Sequence, residues 1–121
     1  MEELFDIMAG MVDSQRRASD ATGKGAVAFE RLLRLAERQD TGRARRVAGF
    51  VASVYDGATF FPFDPFELRA VDLEISDDML MCLDALRWGK ADLNKLVPNG
   101  SSRSRALIDQ WGLQPPSRGY E

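Results

Sequence analysis

Phe60-Phe61-Pro62-Phe63-Asp64-Pro65-Phe66 holds four of the seven phenylalanines of a 121-residue chain. Four large apolar rings so close together invite association if they are left in water. The stretch is therefore either the plug of a small core or a surface for a partner. Pro62 and Pro65 forbid a regular helix through residues 60–64 and argue against a central strand. Asp64 then offers an N-cap, Pro65 stands at the first helical position, and Glu67 follows three residues after the cap. The chain is expected to pause in an aromatic turn, resume as helix, and pack its other elements around that turn.

Outward from the turn, the apolar residues recur with helical period and strand signals are nearly absent. Leu4, Ile7, Met8 and Met11 mark one face of a first helix, and Ser19 to Gly25 reads as a break of small residues. Phe29, Leu32, Leu33 and Ala36 mark a second helix, with Glu30 four residues before Arg34. Thr41 caps a third, which carries Val47, Phe50, Val51 and Val54 and stops at Gly57. After the short helix from Pro65 to about Val71, Ser76-Asp77-Asp78 reads as another start. Its apolar face is Met79, Leu80, Leu83 and Leu86, ending near Gly89. Asp92 to Val97 gives one or two turns, closed by Pro98-Asn99-Gly100. A last helix carries Leu107, Ile108 and Trp111 and ends at Gly112. The expected fold is all-α: a compact single-domain bundle of five to six short helices over residues 1–113, with 114–121 as a flexible tail.

Composition agrees with one domain and one core. The 45 % hydrophobic and 29 % charged fractions are ordinary for a globular protein. The longest uninterrupted apolar run, Met79 to Leu83, is far short of the roughly 20 residues of a membrane span. Met1-Glu2-Glu3 is acidic where a signal or transit peptide would be basic, and a single cysteine forms no intrachain disulfide. A cytoplasmic protein with no membrane contact is expected. The net charge is −3, but it alternates: −4 over residues 1–13, +5 over 14–50, −7 over 51–86 and +3 over 87–121. Such alternation either ties helices together or presents oppositely charged faces.

Catalytic patterns are scarce. There is no histidine, which removes His-based triads, Cys-His dyads and His-bearing zinc sites. Cys82 sits between Met81 and Leu83 and reads as a buried, inert thiol. Thr22-Gly23-Lys24-Gly25 has neither the first glycine nor the hydroxyl of a phosphate-binding loop and reads as a linker. The carboxylates between Asp64 and Asp84 lack EF-hand spacing and read as caps and solvated surface. No enzyme, metal or cofactor is expected.

Two surfaces compete for a binding role. Arg31, Arg34 and Arg38 line one side of the second helix, and Arg43, Arg45 and Arg46 open the third, which invites a nucleic-acid reading. Helix-turn-helix register is poor, because Asp40 and Arg46 stand where that motif takes a glycine and a β-branched residue. A sequence pI near 5.0 also argues against a dedicated nucleic-acid binder. The other surface is Phe60, Phe61 and Phe63 with Glu67, Asp72 and Glu74, rings among carboxylates that suit a basic groove on another protein unless those acids, with Asp84, pair internally with the arginines of the second and third helices. Trp88 and Trp111, each just before a glycine at a helix end, read as core-rim residues whose indole N–H reaches a carbonyl.

Several stretches together resemble a known family. They are Ala28-Phe29-Glu30-Arg31-Leu32-Leu33-Arg34-Leu35-Ala36, Arg45-Arg46-Val47-Ala48-Gly49-Phe50, and Tyr55-Asp56-Gly57 with Phe61-Pro62-Phe63-Asp64. Leu68-Arg69-Ala70-Val71-Asp72, Cys82-Leu83-Asp84-Ala85-Leu86-Arg87 and Trp111-Gly112-Leu113 continue the likeness. As a set, covering about residues 25 to 113, they look like an uncharacterised family of small proteins carried on plasmids and integrative elements of Pseudomonas and related bacteria. The resemblance implies cargo of mobile DNA. Small acidic cargo of that kind acts by binding host machinery, which includes inhibition of CRISPR or restriction defence. The expected function is thus a non-enzymatic protein-binding module, with a nucleic-acid-binding accessory as the alternative.

Overall fold

The structure, a computed structural model, describes residues 1–57 and 64–113. The described chain is all-helical. It runs α1 (Glu2–Arg38), α2 (Gly42–Asp56), a 3-10 turn (Pro65–Arg69), α3 (Leu73–Trp88), α4 (Leu93–Leu96) and α5 (Gly100–Gln110). Local chemistry sets most of the boundaries. Thr41 Oγ1 accepts from the Ala44 amide at 3.1 Å and starts α2, three residues after α1 ends. Asp64 accepts from the Phe66 amide at 3.0 Å ahead of Pro65, so the expected start there is present, though it continues as a 3-10 turn. Gly89, at φ 63°, takes the left-handed conformation that stops α3. Asp92 caps α4 through the Asn94 amide at 2.9 Å.

The main departure from the sequence reading is α1. The expected break at Ser19 to Gly25 does not exist; one helix of 37 residues runs through it. The small residues serve packing instead. α3 lies antiparallel to α1, as successive contacts show: Lys90 with Ser19, Ala85 with Gly25, and Asp78 with Arg31. At the tightest point a Cβ on Gly25 would lie 2.4 Å from Ala85 Cβ and 3.0 Å from the Met81 carbonyl oxygen. Cys82 also donates its thiol to the Gly25 carbonyl at 3.7 Å. Thr22-Gly23-Lys24-Gly25 is thus helix, not linker.

The core forms around the inner half of α1. Ala28, Phe29, Leu32, Leu33 and Ala36 meet Val47, Phe50 and Val51 of α2, and Ile75, Met79, Cys82 and Ala85 of α3. Leu93, Val97 and Leu107 close it from α4 and α5. Phe29 and Phe50 are its largest buried side chains. The aromatic turn does not supply the described core: Phe66 is 70 % exposed, and Phe60, Phe61 and Phe63 lie outside the described residues. α3 also begins at Leu73 rather than Ser76 and buries a different face from the expected one. Ile75, Met79, Cys82 and Ala85 point inward, whereas Leu80, Leu83 and Leu86 remain exposed. Small residues on the α3 inner face match the small residues of α1, and the close approach selects that face over the leucine-rich one.

α5 is fastened by Arg103. Its guanidinium donates to Glu30 at 2.6 and 2.9 Å and to Glu37 at 2.8 and 3.0 Å. These carboxylates stand two turns apart on α1, so one side chain spans them. The Arg103 hydrogen bonds hold the Glu30 carboxyl below its ordinary value, and the two glutamates raise Arg103 further. Trp111 adds the expected rim contact, its indole N–H donating to the Ala36 carbonyl at 3.4 Å. Ser104 donates to Asn94 at 2.8 Å, satisfying the buried polar pair between α4 and α5.

Two outcomes are expected. Gly25→Ala should destabilise the fold by about 1–3 kcal/mol through overpacking, despite alanine's helix preference. Gly23→Ala, whose Cβ meets nothing within 4 Å, should gain about 0.5–1 kcal/mol. Urea denaturation of the pair separates a close-approach glycine from a linker glycine. Arg103→Ala should cost about 1–3 kcal/mol at neutral pH. Because Glu30 is held below its ordinary 4.5, its contribution is complete above that value and is lost as pH falls through the lower folded value. The stability gap between wild type and Arg103→Ala should therefore narrow in denaturation curves taken below pH 4.5.

Candidate protein-binding surface

The acidic segment enters as the 3-10 turn and continues along α3. Glu67 is half-buried and accepts from Arg46 of α2. Asp72, just ahead of α3, accepts from Arg43. Asp78 takes a two-pronged contact from Arg31 at 2.8 and 3.0 Å, which raises the Arg31 pKa. Asp84 pairs with Arg87 of its own helix at 2.5 Å. Glu74 and Asp77 are exposed and have no ion pair among the described residues. Of the six residues expected to form a protein-binding surface, Glu67 and Asp72 thus hold α2 against the start of α3. Glu74 faces solvent, and Phe60, Phe61 and Phe63 lie outside the described residues.

The arginines divide in the same way. Arg31, Arg43 and Arg46 are the partners just named, and Arg34 lies 3.4 Å from Glu30. Arg45 donates to the Trp111 carbonyl at 3.3 Å. Arg38 stands exposed in the last turn of α1 and has no acidic partner among the described residues. The arginines of α1 and α2 are therefore interleaved with acids instead of forming a bare basic stripe.

The sequence reading missed the leucines. Leu73, Asp77, Leu80 and Asp84 follow at i, i+4, i+7 and i+11, one stripe along the outer side of α3. Leu73 is 76 % exposed and Leu80 51 %, with Leu83 on the flank. Phe66, on the preceding 3-10 turn, has the Arg69 guanidinium over its ring, 5.8 Å from the centroid. The signal was present, because α3 carries apolar residues on two sides, and only one side can face α1. What emerges is an exposed apolar patch bordered by Glu74, Asp77 and Asp84. Such a patch can bind by desolvating its centre while its charges steer the approach.

Among the described residues no group of acids, cysteine or histidine is placed to hold a metal ion, and no helix is long and apolar enough to cross a membrane. Cys82 is fully buried, and burial pushes its thiol up to about 12, far from nucleophilic reactivity. Trp88 stacks beneath two guanidinium groups, Arg87 at 5.0 Å and Arg17 at 5.5 Å, at the point where α1 leaves the body.

Searches of curated proteins and of solved structures each give no match. A family profile described as a family of unknown function (DUF7673) matches residues 26–112. That span holds the core from Ala28 of α1 to the end of α5 and leaves residues 1–25 outside it, Gly25 of the α1–α3 crossing among them. The chain therefore belongs to the DUF7673 family of unknown function.

Proposed function

We propose that this chain is a non-enzymatic protein-binding module that acts by occupying a partner's surface in a stoichiometric complex. The observation that carries this reading is the α3 face, where Leu73 and Leu80 stand exposed beside Glu74 and Asp77, acids with no ion pair among the described residues. A basic groove lined by apolar side chains is the complementary surface. The family resemblance drawn from residues 25 to 113 narrows the partner. As cargo of bacterial mobile DNA, the module would block a host defence complex of the anti-CRISPR or anti-restriction type, whose nucleic-acid groove is basic. The alternative, a nucleic-acid-binding accessory, would use Arg31, Arg34, Arg38, Arg43, Arg45 and Arg46. Five of these already engage an acid or a carbonyl, so it takes second place.

Immobilised protein is expected to retain a single host complex, in stoichiometric amount, from a lysate at about 0.15 M salt. Leu73→Lys with Leu80→Lys should lose that complex and leave the melting temperature nearly unchanged, because both side chains are exposed. Retention unchanged in the double variant would remove this face from the reading. A clear shift of duplex or single-stranded nucleic acid at the same salt, abolished by Arg43→Glu with Arg46→Glu, would put the alternative first.

A further inference from the structure

α1 carries its buried seam out of the body. In the body that seam is Gly25, Phe29, Leu32 and Ala36, all buried. Counting back by alternate steps of three and four gives Thr22, Ala18 and Gln15, then Met11, Met8 and Leu4, the spacing of a two-helix seam. Every residue from 1 to 17 is exposed, so residues 2–16 form a free helical arm about 22 Å long. Phe5 and Val12 flank the seam on one side and Ile7 on the other. Together with Leu4, Met8 and Met11 they are between 53 % and 66 % exposed. The described residues leave this apolar face without a second layer, and it is a surface separate from the α3 face.

We propose that the arm is the interface of a homodimer, in which the arms of two copies pack antiparallel with Met8 of one opposite Met11 of the other. Area, charge and length each support a second copy. Six such side chains at roughly 100 Å² apiece remove roughly 1,200 Å² between two copies, the lower edge of a specific interface. Orientation follows from charge at the ends of the arm: Glu2 and Glu3 stand at its start, and Arg16 and Arg17 stand where it meets the body. In the Met8–Met11 register antiparallel packing lays Glu2 and Glu3 of one copy beside Arg17 and Arg16 of the other, with Asp6 and Asp13 on the outer side, whereas parallel packing would stack all four acids on their counterparts. Length fits as well. With Met8 opposite Met11, the pairing runs along the arm as far as Arg17, which stacks on Trp88 where the body begins. A membrane surface suits the arm poorly, because interfacial helices carry Lys and Arg on their polar face and this one carries acids.

The full chain is expected to sediment with twice its monomer mass at about 50 µM, well above the dissociation constant of a micromolar dimer. Met8→Asp with Met11→Asp should sediment as monomer with its circular dichroism melt preserved. Leu73→Lys with Leu80→Lys should leave the dimer intact, which separates this interface from the α3 surface. The same register places Phe5 of one copy beside Val12 of the other. Mixed Phe5→Cys and Val12→Cys chains should therefore cross-link to each other under mild oxidation, Cys82 being buried and silent. A monomeric wild type, a dimer that survives the methionine substitutions, or preferred Phe5→Cys self-cross-linking, which reports parallel arms, would each overturn the proposal. So would flotation of monomeric wild type with phosphatidylcholine–phosphatidylglycerol vesicles.

Discussion

The close crossing of α1 and α3 at Gly25 and Ala85 is the constraint on which the rest of the fold depends. Two helices approach this nearly only where neither presents bulk, and here Gly25 has no side chain to set against Ala85. The crossing fixes the rotation of α3 about its own axis. Once Cys82 and Ala85 face α1, Ile75 and Met79 follow them into the core, and Leu73 and Leu80 must point to water. The exposed leucines are thus the geometric remainder of a tight interface on the opposite side of the same helix.

The alternating charge along the chain serves mainly to tie its segments together. The basic stretch of α1 and α2 meets the acidic stretch after it through Arg31–Asp78, Arg43–Asp72 and Arg46–Glu67. The basic last helix returns to α1 through Arg103. Exposed pairs of this kind add little stability singly, but they penalise wrong registers, since a slipped helix would bring like charges together. The Arg103 clamp is the least exposed of them, and its hold on the Glu30 carboxyl, kept below its ordinary value, is where pH acts.

What was legible in the sequence was local. Thr41, Asp64, Asp92 and Gly89 mark their helix ends because a cap needs only its own neighbours, and Trp111 at the rim follows from the needs of a single indole N–H. The continuity of α1 was not legible. A glycine that ends a helix and a glycine that admits another helix look alike until Ala85, sixty residues later, is placed against it. The inner face of α3 was hidden for the same reason, since hydropathy ranks Leu80, Leu83 and Leu86 above Cys82 and Ala85, whereas the crossing distance favours the smaller side chains. Among the site residues, Glu67 and Asp72 allowed two readings, a rim for a partner or internal pairs with the arginines of the expected second and third helices, and the placement of α2 decides for the pairs. The apolar face of Leu4, Ile7, Met8 and Met11 was readable as a helix face. That no described residue packs over it is a property of the tertiary structure alone.

α1 passes from body to arm as a single helix, so the arm has no joint about which to swing. Two chains held through such arms would be a ruler with a binding face fixed near each end. A target offering two basic grooves at the matching separation would be held at both ends, the second contact forming at the high effective concentration set by the rod. At any other separation the rod would forbid it. Selectivity would then reside in the distance between sites as much as in the chemistry of either one, and a flexible linker in place of the helix would forfeit it.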